Sequence, residues 1–180
     1  MKRFLNVSIL LFTFLFLSNC SKPIFEMPDL ESAQAQYVYA KKVYFEEIPE
    51  MGLFIYAKPE NKKLKIDKII FAYNKVIGNF PDDKVSTPLA YIDLANCYYI
   101  SKQYEKAIST YTKAINKYPD HDFVYATSLF GIGKSYERMK NYDRAKKYFE
   151  SCIQEFPSPK NEQIKTLVEA SQKNLDALNK

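Results

Sequence analysis

The chain contains no tryptophan, one histidine, three cysteines and only four glycines among its 180 residues. Each scarcity closes a class of possibilities. Four glycines are too few for the many tight turns of a sandwich or barrel. The single histidine, His121, stands between Asp120 and Asp122. A metal site would need further ligands, and no second imidazole exists to supply one. Nucleophilic catalysis through a Ser–His or Cys–His pair has only this one residue to draw on. A polar turn and helix cap is the expected role of His121. Charge of one sign is also lacking in blocks: the net charge is +5, with Lys and Asp/Glu interspersed. No basic stripe of the kind that grips nucleic acid is present.

What is present points to a folded helical body. Apolar residues make up 47% of the chain and charged ones 26%, a balance that favours a packed core over disorder. The length suits one domain. Tyr and Phe are abundant, at 15 and 13.

The chain opens MKRFLNVSILLFTFLFLSNCSKP. Lys2 and Arg3 form a short positive start, and residues 4–17 are apolar with soft breaks at Asn6, Ser8 and Thr13. That run is short for a membrane span and right for a secretory segment. It ends Leu17-Ser18-Asn19-Cys20, which resembles a bacterial lipobox. Asn19 departs from the Gly or Ala usual before the cysteine. The resemblance implies a lipoprotein signal peptide over 1–19, cleavage before Cys20, and acyl chains such as palmitate on Cys20. The rival reading is an ordinary signal peptide that ends near a cysteine. Residues 20–29, with Pro23 and Pro28, read as a lipidated tether. Cys97 and Cys152 fall at buried-type helical positions and are expected to be free core thiols.

The remainder, 30–180, repeats itself. Aromatic-Pro pairs recur at Phe80-Pro81, Tyr118-Pro119 and Phe156-Pro157, each 38 residues after the last. Upstream, Tyr91, Leu94, Ala95 and Tyr98 align with Leu129, Ile132, Gly133 and Tyr136. Ala107, Tyr111 and Ala114 align with Ala145, Phe149 and Cys152. Positions i, i+3, i+4 and i+7 make one helical stripe. The small residues Ala95, Gly133, Ala107 and Ala145 let paired helices approach closely. Thr87 is expected to cap the first helix, Pro88 to fit its first turn, and Pro119 and Pro157 to end the second helices. Gly131 to Ser135, GIGKS, matches the end of a phosphate-binding loop, but the glycine required five positions before Gly133 is Ser128.

This pattern resembles the tetratricopeptide repeat, whose usual period is 34 residues. One extra helical turn in each first helix would absorb the four additional residues. The resemblance implies an all-α, right-handed superhelix of antiparallel helix pairs. The clearest repeats are 86–119 and 124–157. A degenerate pair over 30–81 has its first helix at 29–47, with Leu30, Ala33, Tyr37, Ala40 and Tyr44 on one side. An irregular insertion is expected at 48–61, and a second helix follows with Ile69, Tyr73 and Val76 in phase. A capping helix over 159–179 carries Ile164, Leu167, Ser171, Leu175 and Leu178. First helices of such repeats line an inner groove, which places Asn96, Tyr99, Ile100, Phe130, Lys134, Glu137 and Arg138 there as candidate partner contacts.

More loosely, the chain is similar to outer-membrane assembly lipoproteins of the BamD type, which usually carry five repeats where this chain has room for about three. The implied function is a protein-binding scaffold, lipid-anchored in the bacterial cell envelope with the outer membrane favoured. Its partners would be envelope proteins or peptides. No catalysis, cofactor, metal, small-molecule substrate or nucleic acid is expected. The alternative is a self-associating structural organiser.

Overall fold

The computed structural model describes residues 26–47 and 59–180, with side chains from 65 onward in the second stretch. The signal peptide, Cys20 and most of the expected insertion lie outside the described residues. Seven helices are described and no strand among them: α1 (Ala33–Glu47), α2 (Pro59–Asn79), α3 (Ser86–Ile100), α4 (Tyr104–Lys117), α5 (Asp122–Arg138), α6 (Tyr142–Glu155) and α7 (Glu162–Leu178). Each helix packs against the next, so the fold is all-α and built from neighbouring helix pairs.

The 38-residue rhythm is visible in the backbone. Where α3 ends, the Lys102 and Gln103 amides donate to the Tyr99 and Tyr98 carbonyls. Where α5 ends, Lys140 and Asn141 do the same to Glu137 and Tyr136. Lys102 and Lys140 both have positive φ, 63° and 59°, the left-handed step that closes a helix and recovers its last carbonyls. At the other edge, Phe80 and Asp83 bond back to Val76 and Phe80, as Tyr118 and His121 do to Ala114 and Tyr118. The first helices α3 and α5, at 15 and 17 residues, are longer than their 14-residue partners α4 and α6.

Glycine sets how closely α5 is gripped. A Cβ on Gly131 would stand 2.6 Å from Cε2 of Tyr111 on α4. A Cβ on Gly133 would stand 2.7 Å from Cε1 of Phe149 on α6. Neither glycine has positive φ, so space, and not backbone freedom, explains both. Gly133 fits the close-packing role read from the repeat; Gly131 carries the same role, unread in the sequence because its counterpart one repeat earlier is Asp93 and not a small residue. Tyr111 and Phe149 are fully buried. One core gathers Ala40, Val43, Ile69, Tyr73, Val76, Leu94 and Cys97; a second gathers Ile92, Ala95, Ala107, Tyr111, Val124 and Ile132.

Four local expectations need correction. Thr87 does not cap α3: it is buried inside the first turn, and its hydroxyl donates to the Phe80 carbonyl. Asp83 caps instead, accepting from the amides of Val85, Ser86 and Thr87. The expected insertion at 48–61 is shorter, because Pro59 already opens α2; proline suits a first helical position, where its missing N–H has no partner to lose. The buried line of α1 is Ala33, Gln36, Ala40 and Val43, with Tyr37 and Tyr44 half-buried beside it. Half of the buried Gln36 amide is satisfied: its carbonyl accepts from the Leu30 amide, while Nε2 has no hydrogen-bond partner. The last helix starts at Glu162, capped by Asn161, three residues after Pro159. Ile164 and Ser171 are its buried positions.

Three outcomes follow. Gly131→Ala should lower unfolding free energy by about 1–3 kcal/mol through overpacking. Gly78→Ala, with nothing near its would-be Cβ, should raise it by about 0.5–1 kcal/mol; urea titration of both variants checks the opposite signs. Partial burial works against the Asp83 carboxylate, but three amides outweigh it and hold its pKa below the usual aspartate value. A carboxyl with a lowered folded pKa contributes stability fully above its unfolded pKa, about 4, and loses it as pH falls through the lower folded value. Asp83→Ala should therefore cost about 1 kcal/mol near neutrality, and the gap to wild type should shrink as pH falls well below 4.

Candidate protein-binding face

The odd-numbered helices touch one another in sequence, α1 to α3, α3 to α5 and α5 to α7, whereas among the described residues no even-numbered helix touches another even one. The stack therefore closes toward the odd row. That row is the inner face.

Polar contacts lace the row together. Tyr37 of α1 donates its hydroxyl to Asp93 of α3 at 2.9 Å, and Lys41 pairs with the same carboxylate at 3.5 Å. The Asp93 charge also reaches the buried Tyr73 hydroxyl of α2. One repeat on, Arg138 of α5 donates to the Tyr99 hydroxyl of α3 at 3.1 Å. At the far end Lys134 of α5 donates to Asn174 of α7 at 2.9 Å and pairs with Glu137. Burial, then the Asp93 charge, pushes the Tyr37 and Tyr73 hydroxyls well above their ordinary pKa. Burial, with the Asp93 charge adding and Lys41 opposing, pushes the Cys97 thiol up to about 12. Cys97 and Cys152 are both free and buried.

The seven residues expected at the groove separate into three groups. Tyr99 and Arg138 meet across the α3–α5 junction on the row, with Arg138 exposed and its pKa raised by the bond to Tyr99. Tyr99 also meets Tyr104 edge-on, 5.6 Å between ring centres. Lys134 and Glu137 are half-buried and engaged with α7 and with each other. Asn96 turns into its own hairpin, where its carbonyl oxygen accepts the Tyr111 hydroxyl at 2.5 Å. Phe130 packs on Phe149 at 5.9 Å, and Ile100 is half-buried at the end of α3. Asp93 and Lys41 were not singled out from the sequence, and Tyr37 was read only as part of the packing side of α1. A lone acid facing inward on α3 could have been noticed: it falls one residue before the packing stripe at Leu94, where the family pattern already places inner-face contacts.

At one edge, the turns before α3, α5 and α7 bound an open cleft of about 530 Å³. Lys84 and Lys117 lie over the Tyr118 ring there, at 5.7 and 5.9 Å, with Asp120 and Asp122 nearby. His121 occupies the cap position of α5, but its side chain makes no capping bond. No helix among the described residues is long and apolar enough to cross a membrane.

Asp93→Ala should lower stability by about 1–3 kcal/mol, because it leaves the part-buried Tyr37 hydroxyl without its carboxylate. Adding Tyr37→Phe should recover part of that loss, and a double-mutant cycle read by thermal unfolding measures the coupling.

No curated protein matches the chain. Residues 86–154, from the start of α3 to the end of α6 but one residue, match the tetratricopeptide repeat. This stretch thus carries tetratricopeptide repeats, a module that typically binds proteins and is typically non-catalytic.

Proposed function

We propose that the protein is a scaffold, tied to a bacterial membrane by lipid on Cys20, that receives a protein segment on its inner face and does no chemistry on it. The observation that carries the reading is the junction of Tyr99 and Arg138. Two neighbouring repeats present there an aromatic ring and an exposed guanidinium on one side of the odd row. Such a pair offers stacking area and a planar donor fork to a peptide carbonyl or carboxylate. Ile100 borders it with apolar surface, and Lys134 and Glu137 continue the row toward α7.

The membrane part of the reading draws on Leu17-Ser18-Asn19-Cys20 and the short apolar run before it. Several acyl chains anchor firmly, since each buried methylene contributes roughly 0.8 kcal/mol. An envelope setting with the outer membrane favoured accords with this, and service to outer-membrane assembly is the narrower form of the proposal.

Arg138→Glu and Tyr99→Ala should each reduce partner recovery at least fivefold in pull-downs from detergent-solubilised envelopes, with the size of the protein in solution unchanged. Unchanged partners with lost oligomers would favour a self-associating organiser instead. Labelled palmitate should enter the wild type and be absent from Cys20→Ala.

A further inference from the structure

We propose that the outer face of α1 lies against the lipid surface to which Cys20 ties the chain. This rests on the lipid-anchor reading of Cys20 and adds an orientation to it. One side of α1 packs on α2 and α3. The opposite side exposes Val38 at 58% and Phe45 at 56%. Seven residues apart, they stand two turns from each other on one face, about 10 Å along the helix. Lys42 projects between them and pairs with Glu46 at 3.6 Å, and the Lys41 amine, paired with Asp93, lies over the Phe45 ring at 5.4 Å. Apolar side chains flanked by charged heads suit a bilayer boundary, where the stems follow the acyl region and the heads stay in the headgroup layer.

The two ends of the helix stack differ. The far end is closed by α7, whose exposed side is polar: Glu162, Lys165, Glu169, Gln172, Lys173 and Asp176. Stacked repeats need such polar ends. The α1 end presents an apolar strip instead. Among the described residues, the remaining large exposed hydrophobics lie elsewhere, Val85 in the turn before α3 and Met139 with Tyr142 at the α5–α6 turn.

The chain leading to α1 says what can cover that strip. Residues 20–29 were expected to be a free tether, but their end is fastened to the domain. Lys75 donates to the Met27 carbonyl at 2.5 Å and pairs with Asp29 at 3.0 Å. Asn79 donates to Asp29 at 3.0 Å, and the Met27 side chain packs on the first core. Only residues 21–26 separate Cys20 from this fastening. Fully extended at roughly 3.3–3.6 Å per residue, they hold the exit point within about 25 Å of the lipid. The exit point adjoins the start of α1, so α1 is the helix delivered to the membrane.

The absence of tryptophan makes a single-tryptophan test clean. Lipidated Phe45→Trp and Tyr142→Trp proteins, extracted in detergent, are reconstituted on vesicles of phosphatidylcholine and phosphatidylglycerol containing dibrominated acyl chains. The Phe45→Trp emission should be blue-shifted and quenched at least twofold more than that of Tyr142→Trp. Equal quenching with protein that floats with the vesicles overturns the α1 contact and leaves the anchor standing. Protein that fails to float overturns the anchor, and the contact with it. A blue shift that grows with protein concentration in detergent alone, before vesicles are added, assigns the face to a second copy and overturns the proposal.

Discussion

Two rings seated on two glycines decide how the central helix is held. Tyr111 comes from α4 and Phe149 from α6, and they close on α5 at Gly131 and Gly133. Both sockets lack even a methyl group's room. A helix with two interior glycines is weakened by roughly 0.5–1 kcal/mol at each, so the sequence accepts a poorer α5 for closer contact on two sides. Ring burial of this kind contributes on the order of 2–3 kcal/mol per side chain, which outweighs the loss. The Tyr111 hydroxyl then needs a buried partner, and Asn96 supplies it. One steric constraint thus places α4, α5 and α6 and fixes the side chain of a fourth element, α3.

The rest of the architecture follows from repeating that arrangement at a 38-residue step. Left-handed turns at Lys102 and Lys140 release each second helix in the same direction, and the edge turns after Phe80 and Tyr118 return the chain alike. The first helices then fall side by side. Their contact is polar where they meet, through Asp93, Arg138 and Lys134 in turn. Apolar packing therefore joins partners within and between pairs, and hydrogen bonds tie the row that a bound segment would face. A surface held by such bonds keeps its side chains ordered before any partner arrives, which lowers the entropy lost on binding.

Most of the fold could be read from residue spacing, because helical periodicity and aromatic-Pro ends are properties of short stretches. Ile69, Tyr73 and Val76 fell in phase and are buried, and Gly133 was understood as a close contact. What escaped depends on partners distant in sequence. Asp83 outcompetes Thr87 as a cap because the turn after Phe80 aims its carboxylate at three amides, while the Thr87 hydroxyl finds a carbonyl to donate to. Gln36 gave no apolar signal, yet it is buried, with its carbonyl held by the Leu30 amide. Of the face itself, Tyr99 and Arg138 were placed together by the repeat pattern. Asn96 matched that pattern equally well, but nothing near it in sequence shows that a tyrosine fifteen residues later would engage it.

The most direct test of this account is a nuclear Overhauser spectrum of the folded protein with labelled glycine and aromatic residues. Strong cross-peaks should join the α-protons of Gly131 to the ring of Tyr111, and those of Gly133 to the ring of Phe149. Absence of both sets, in a protein whose helices are otherwise intact, would contradict the claim that these sockets hold the repeat together.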